Sequence, residues 1–184
     1  MTVPPVVTTR AGFITHTALY LALAIILPIG FHAMGMAGRI FLPMHIPALL
    51  AGLVVGPFCG IIVGLLAPGL STILTGMPPV DRVVFMSIEL AMYGLVGGVA
   101  YRMFRANLFV SLILAMIMGR LMFGLGLFVL ALFVDVPYSA AAFFSIGGAM
   151  VTGWPGVVIQ LILVPLVVKA LERRSERPRA TPYR

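Results

Sequence analysis

Charge is what this sequence has least of. Only 9% of its 184 residues are Asp, Glu, Lys or Arg, against roughly 25% in a soluble domain. Lys169 is the single lysine, and it lacks the preceding glycine of a G-x-x-x-x-G-K-[ST] phosphate loop, so the chain carries no nucleotide site of that type. With one cysteine, Cys59, an intramolecular disulfide is impossible and a Cys-based metal set finds no partners. No HExxH motif and no Ser/His/Asp set is present, which leaves an intramembrane enzyme without a constellation to support it. Strict apolar/polar alternation is missing too, so any membrane crossing is helical and not a β-barrel.

What is there in abundance is apolar sequence: 61% of residues are hydrophobic and the mean hydropathy is +1.16. Stretches of 18 or more residues with almost no charge recur, each long enough for a hydrocarbon core about 30 Å thick. These features define an all-α integral membrane protein with room for one bundle. The net charge of +7 comes from basic clusters flanking apolar segments, the pattern of positive-inside flanks and not of a nucleic-acid surface. Ala22-Leu23-Ala24 imitates a signal cleavage site, but apolar sequence continues through Leu27, so an uncleaved first helix is expected.

Five apolar segments are legible: about Ala11 to Met34, Met44 to Gly76, Arg82 to Phe104, Asn107 to Val134, and Phe143 to Leu171. They imply a short segment over 1–10, a membrane domain over 11–172 and a basic tail over 173–184. The second segment is too long for one span and is interrupted by Gly56-Pro57 and Pro68-Gly69. A turn at Gly56-Pro57 yields six crossings, with Arg10, Arg102, Arg105, Lys169 and the basic tail on the cytoplasmic side against Arg39 and Arg82 outside. A five-crossing alternative merely exchanges Arg10 and Arg39. Gly52, Gly56, Gly60 and Gly64 form a small-residue ridge that lets helix backbones approach closely; a continuous ridge would favour one helix through Pro57, whereas a Gly-Pro turn would favour two.

The series IPALLAG, GP, GIIVGLL, LSTILTGMPP and IELAMYGL resembles the substrate-binding S components of energy-coupling factor (ECF) vitamin transporters. THTALYLAL, MGR and TGWPGVVIQLILVP extend the likeness, which covers about residues 12 to 172. The resemblance implies a six-transmembrane-helix bundle with both termini cytoplasmic and a short second helix. It also implies capture of a small water-soluble vitamin or vitamin precursor from outside. Delivery then follows docking on a transmembrane coupling subunit served by two ATPase subunits, with no catalysis and no cofactor in the S component itself. In RIFLPMHIPALLAG, Pro43 falls in the loop and Pro47 in the first turn of the short helix, which sets Arg39, Met44 and His45 over the pocket as a roof.

Candidate site residues follow from polar side chains set in apolar segments. Arg120 lies about 20 Å into segment four, and Glu89 lies at a comparable depth in segment three. Two uses compete for them: an ion pair that only holds the bundle together, or a pocket in which Arg120 holds an anionic substrate group. Tyr93 shares the face of Glu89. Gln160 can donate and accept, Trp154 suits an interface belt or a stacked ligand, and Met77 borders an outer loop. Asn107 is expected to cap a helix. His16, His32 and His45 are poorly spaced for a metal, and none is expected. His45 is expected to bond loop backbone or substrate. Ala18 and Ala22 make an A-x-x-x-A pair that either packs within the bundle or, as the resemblance implies, contacts the coupling subunit. The rival to a binding subunit is a stand-alone ion-coupled transporter or channel using Arg120 and Glu89. That pair favours a substrate bearing a carboxylate, or a zwitterion, over a purely apolar ligand, and pantothenate, niacin or a pyridoxine-like compound would all fit.

Overall fold

The computed structural model describes residues 9–32, 41–132 and 153–176, as helices and the turns between them. Arg39 and the beginning of the fifth apolar segment, residues 143–152, lie outside the described residues. The helices are α1 (Arg10–His32), α2 (His45–Leu50), α3 (Pro57–Thr75), α4 (Val80–Gly98), α5 (Leu108–Ala131) and α6 (Trp154–Glu176). Helix α2 runs on as a π-helical turn over Ala51–Val55, and α4 does the same over Val99–Met103. Five helices among the described residues are long and apolar enough to cross a membrane, and His45–Val55 is a shorter apolar helix. At 1.5 Å per residue the short one reaches about 16 Å, half a hydrocarbon core.

Local chemistry sets the ends of these elements. The Thr9 hydroxyl accepts from the Gly12 N–H at 3.0 Å to cap α1, and Asn107 Oδ1 accepts from the Phe109 N–H at 2.9 Å to cap α5. Helix α3 starts with Pro57, whose missing N–H costs nothing there. It ends at Gly76 in the left-handed region, φ 72°. The turn that follows is tied down by hydroxyls. Ser71 donates to the Met77 carbonyl at 2.7 Å and Thr72 to the Pro78 carbonyl at 2.6 Å.

Whether Gly56 lies within one helix or between two is answered by glycine packing. Gly56 itself has φ 140°, a conformation that glycine alone adopts without strain. A Cβ on Gly52 would stand 2.8 Å from the Gly94 carbonyl carbon, and one on Gly60 would stand 2.7 Å from the same atom. The two positions therefore lie within about 6 Å of each other, where eight residues of continuous helix would separate them by about 12 Å. The chain folds back at Gly56, and both arms press their glycines onto Gly94 of α4.

The short helix is the centre of the molecule. Every residue from Met44 to Val54 is buried, and the helix packs against α1, α3, α4 and α6. Its burial places Met44 and His45 inside the bundle, at 4% and 1% exposure. These two residues, expected in the roof of the pocket, stand at the start of a buried helix. Helix α1 turns Tyr20 and Ala24 inward, while Ala11, Thr15, Ala18 and Ala22 are exposed. Ala18 and Ala22 thus lie on the face of α1 opposite the one that packs on the described helices.

Candidate functional site

Glu89 stands nine residues into α4 and Arg120 twelve residues into α5, about 13 Å and 18 Å from the respective helix starts. The two helices pack side by side, so both charges meet near mid-depth. Arg120 Nη1 lies 3.0 Å from Glu89 Oε1, and His45 Nε2 lies 3.4 Å from the same oxygen. Glu89 is 2% exposed and Arg120 7%. One carboxylate oxygen thus faces a guanidinium from α5 and an imidazole from the short helix. His45, expected to bond loop backbone or substrate, is paired to an acid in the core.

Tyr93, one turn beyond Glu89, closes the other side of the cluster. The His45 and Tyr93 rings meet edge to face with centroids 5.0 Å apart, and the Tyr93 hydroxyl lies beside the Arg120 guanidinium. Gly119, next to Arg120, makes the approach possible, because a Cβ there would fall 2.4 Å from the Tyr93 ring.

Tyr93 and Arg120 also form one wall of a cavity of about 320 Å³ between α5 and α6, lined otherwise by Ile113, Met116, Ile117, Leu121, Val157, Leu161 and Trp154. Ligand pockets run from roughly 300 to 1,000 Å³ and combine apolar walls with a few polar groups. Trp154 is 65% exposed at the start of α6, so its ring belongs to the cavity mouth and the molecule's surface. Gln160 is fully buried on α6, and neither of its amide atoms has a hydrogen-bond partner among the described residues. Its neighbours Val157 and Leu161 line the cavity.

Met77 sits apart from this cluster. It is 37% exposed in the α3–α4 turn, where its carbonyl accepts from Ser71 and Thr75. His16 donates from Nδ1 to the Gly12 carbonyl, and no group of three metal-ligating side chains occurs among the described residues.

Sequence reasoning missed a second polar cluster at the opposite end of the short helix. Arg102, expected as a cytoplasmic flank, is half-buried, and its Nε donates to the Leu53 carbonyl at 2.6 Å. Beside it, the Tyr101 hydroxyl lies 3.0 Å from both carboxylate oxygens of Glu172 on α6. The signal for Arg102 was present: Leu53 precedes Pro57 by four residues, and proline has no N–H to offer that carbonyl.

Long apolar helices around a half-length buried helix, with a charged cluster beside an apolar cavity, define a multi-pass membrane protein with an internal polar site. A family model described as the ECF transporter, substrate-specific component, matches residues 13–168, and the chain belongs to that family. Comparison with curated proteins and with solved structures gave no match. The protein is accordingly a multi-pass integral protein of the cell membrane and a transport subunit.

Proposed function

We propose that the chain is the substrate-binding S component of an ECF importer for a small water-soluble vitamin or vitamin precursor. Its bundle crosses the membrane six times, the short helix counting as the second, with both termini cytoplasmic. Substrate enters from outside and rests against Arg120, Glu89, Tyr93 and His45, with Gln160, Met44 and Trp154 around them and Arg39 and Met77 nearer the outer loops. Delivery follows docking of the Ala18 and Ala22 face on the coupling subunit, with ATP hydrolysed by two partner subunits.

The observation that carries this reading is the mid-depth cluster of Glu89, Arg120 and His45, whose Arg120 also lines the α5–α6 cavity together with Tyr93, in a chain of this family. Charged side chains inside a membrane bundle are costly and mark substrate paths or relays. Reconstitution in proteoliposomes tests the assignment. Uptake should require the coupling and ATPase subunits together with ATP. Uptake driven by an ion gradient in the absence of those subunits would instead establish a stand-alone transporter.

A further inference from the structure

The cavity between α5 and α6 is walled by aliphatic and aromatic side chains, with Arg120 the charged residue in its lining. A molecule bearing many hydroxyls or several charges would leave those groups without partners against such walls, at a cost of a few kcal/mol each. One polar terminus, set against the guanidinium, satisfies the lining. Arg120, however, already compensates Glu89 at 3.0 Å. An anion that draws on the guanidinium leaves the carboxylate short of positive charge in a desolvated site, and a buried charge without a counter-charge is strongly unfavourable.

His45 is the group placed to restore the balance. Its Nε2 faces the same Glu89 oxygen at 3.4 Å, and its Nδ1 has no hydrogen-bond partner among the described residues. Imidazole is the side chain that ordinarily changes charge near physiological pH. The titratable groups facing it are Glu89 and Tyr93 from α4, with Arg120 of α5 behind the same carboxylate. Helix α6 also packs against the short helix, and its buried polar side chain, Gln160, is neutral. Tyr20 of α1 and Cys59 of α3 lie together with Arg102 toward the other end of the short helix.

We propose that the site takes a compact monoanion with an apolar body, and that each anion enters together with one proton, held by His45. This rests on the reading of the cluster as the substrate site. When the ligand engages Arg120, protonated His45 takes over Glu89, so the buried site gains no net charge. The proton comes from solvent and returns to it on release. No covalent bond changes.

The sign follows from linkage. A proton taken up on binding makes affinity rise as pH falls and weaken by up to tenfold per pH unit as it rises. The test uses the purified full chain in detergent, with benzoate and nicotinate as monoanionic probes and benzamide and nicotinamide as their neutral counterparts. Thermal shift at about 10 mM probe is followed by titration calorimetry in phosphate and in Tris, at pH about 6 and about 8. The carboxylates should bind and the amides should not. The buffer dependence of the heat should report close to one proton taken up at the higher pH.

His45→Gln should bind more weakly and lose the pH dependence, and the wild-type proton count stands by itself if that variant misfolds. Equal binding of the amides, no stabilisation by either carboxylate, or a proton count of zero at the higher pH overturns the proposal. Native mass spectrometry separates this failure from that of the broader reading. A retained neutral or cationic vitamin would sink the anion-plus-proton model while supporting a binding subunit.

Discussion

The Arg102 guanidinium donates through Nε to the Leu53 carbonyl at 2.6 Å, capping the short helix at the point where Gly56 turns the chain and Pro57 offers no N–H. Cations are favoured at helix C-termini, and this one joins the end of α4 to the hairpin that carries His45. Replacing Arg102 by Ala should leave a buried carbonyl unsatisfied and cost about 1–3 kcal/mol. Denaturant or thermal unfolding in detergent measures it. Lys should recover part of the loss, since its ammonium can reach a carbonyl but lacks the guanidinium's fixed geometry.

The Glu89–Arg120 pair predicts a non-additive pattern. Arg120→Met or Glu89→Gln alone should destabilise by about 3–5 kcal/mol, because each strands a buried partner. The double variant should be more stable than Arg120→Met. Unfolding of the four proteins in one detergent gives the coupling energy directly. Ligand binding should be weakened in every variant lacking Arg120, including the stable double one.

Gln160 separates stability from function in the opposite direction. Its buried amide has no partner among the described residues, and Leu fills a similar volume without that desolvation cost. Gln160→Leu should leave the ligand-free protein unchanged or raise its stability by up to about 1–3 kcal/mol. It should also reduce the stabilisation conferred by substrate. Paired melts with and without a retained ligand read both effects.

Gly94 sits where α2 and α3 converge on α4. A Cβ there would come 2.5 Å from the Gly60 Cα and carbonyl carbon, which are backbone atoms that cannot rotate away. Gly94→Ala should therefore cost at least about 1–3 kcal/mol, and Gly94→Leu should abolish accumulation of folded protein. Gly30 has open space around it, which makes Gly30→Ala the matched control, expected to behave as wild type in a fluorescence size-exclusion profile.

Ala18 and Ala22 lie on the exposed face of α1, so Ala18→Trp and Ala22→Leu should change stability by no more than about 0.5 kcal/mol. Co-purification with the coupling and ATPase subunits should be lost, with substrate binding by the isolated chain retained. An intact complex would place the docking face elsewhere.

Much of this was legible in the chain itself. The apolar runs announced the long helices because a bilayer demands about 20 apolar residues per span. Glu89, Arg120 and Tyr93 were recognisable as candidates because polar groups at such depth are expensive. Asn107 was recognisable as a cap by residue type. The pairing of His45 with Glu89 was not foreseen, since no local signal shows that a helix of about 11 residues will be buried on every side. Arg102 was assigned to a basic flank, since charge counting sees only the end of a segment and not the carbonyl it meets.

By itself, then, the sequence determined the class of molecule, the depth of its charges and the small-residue positions, all of which depend on composition and helical rise along one chain. Which side chains meet at the Glu89 carboxylate, and that His45 is one of them, was decided by tertiary structure alone. That pairing depends on the reversal at Gly56 and on glycine contacts between residues more than 30 positions apart in the chain. Helical period and hydropathy describe a segment's own faces, and carry no information about which foreign side chain will stand against them.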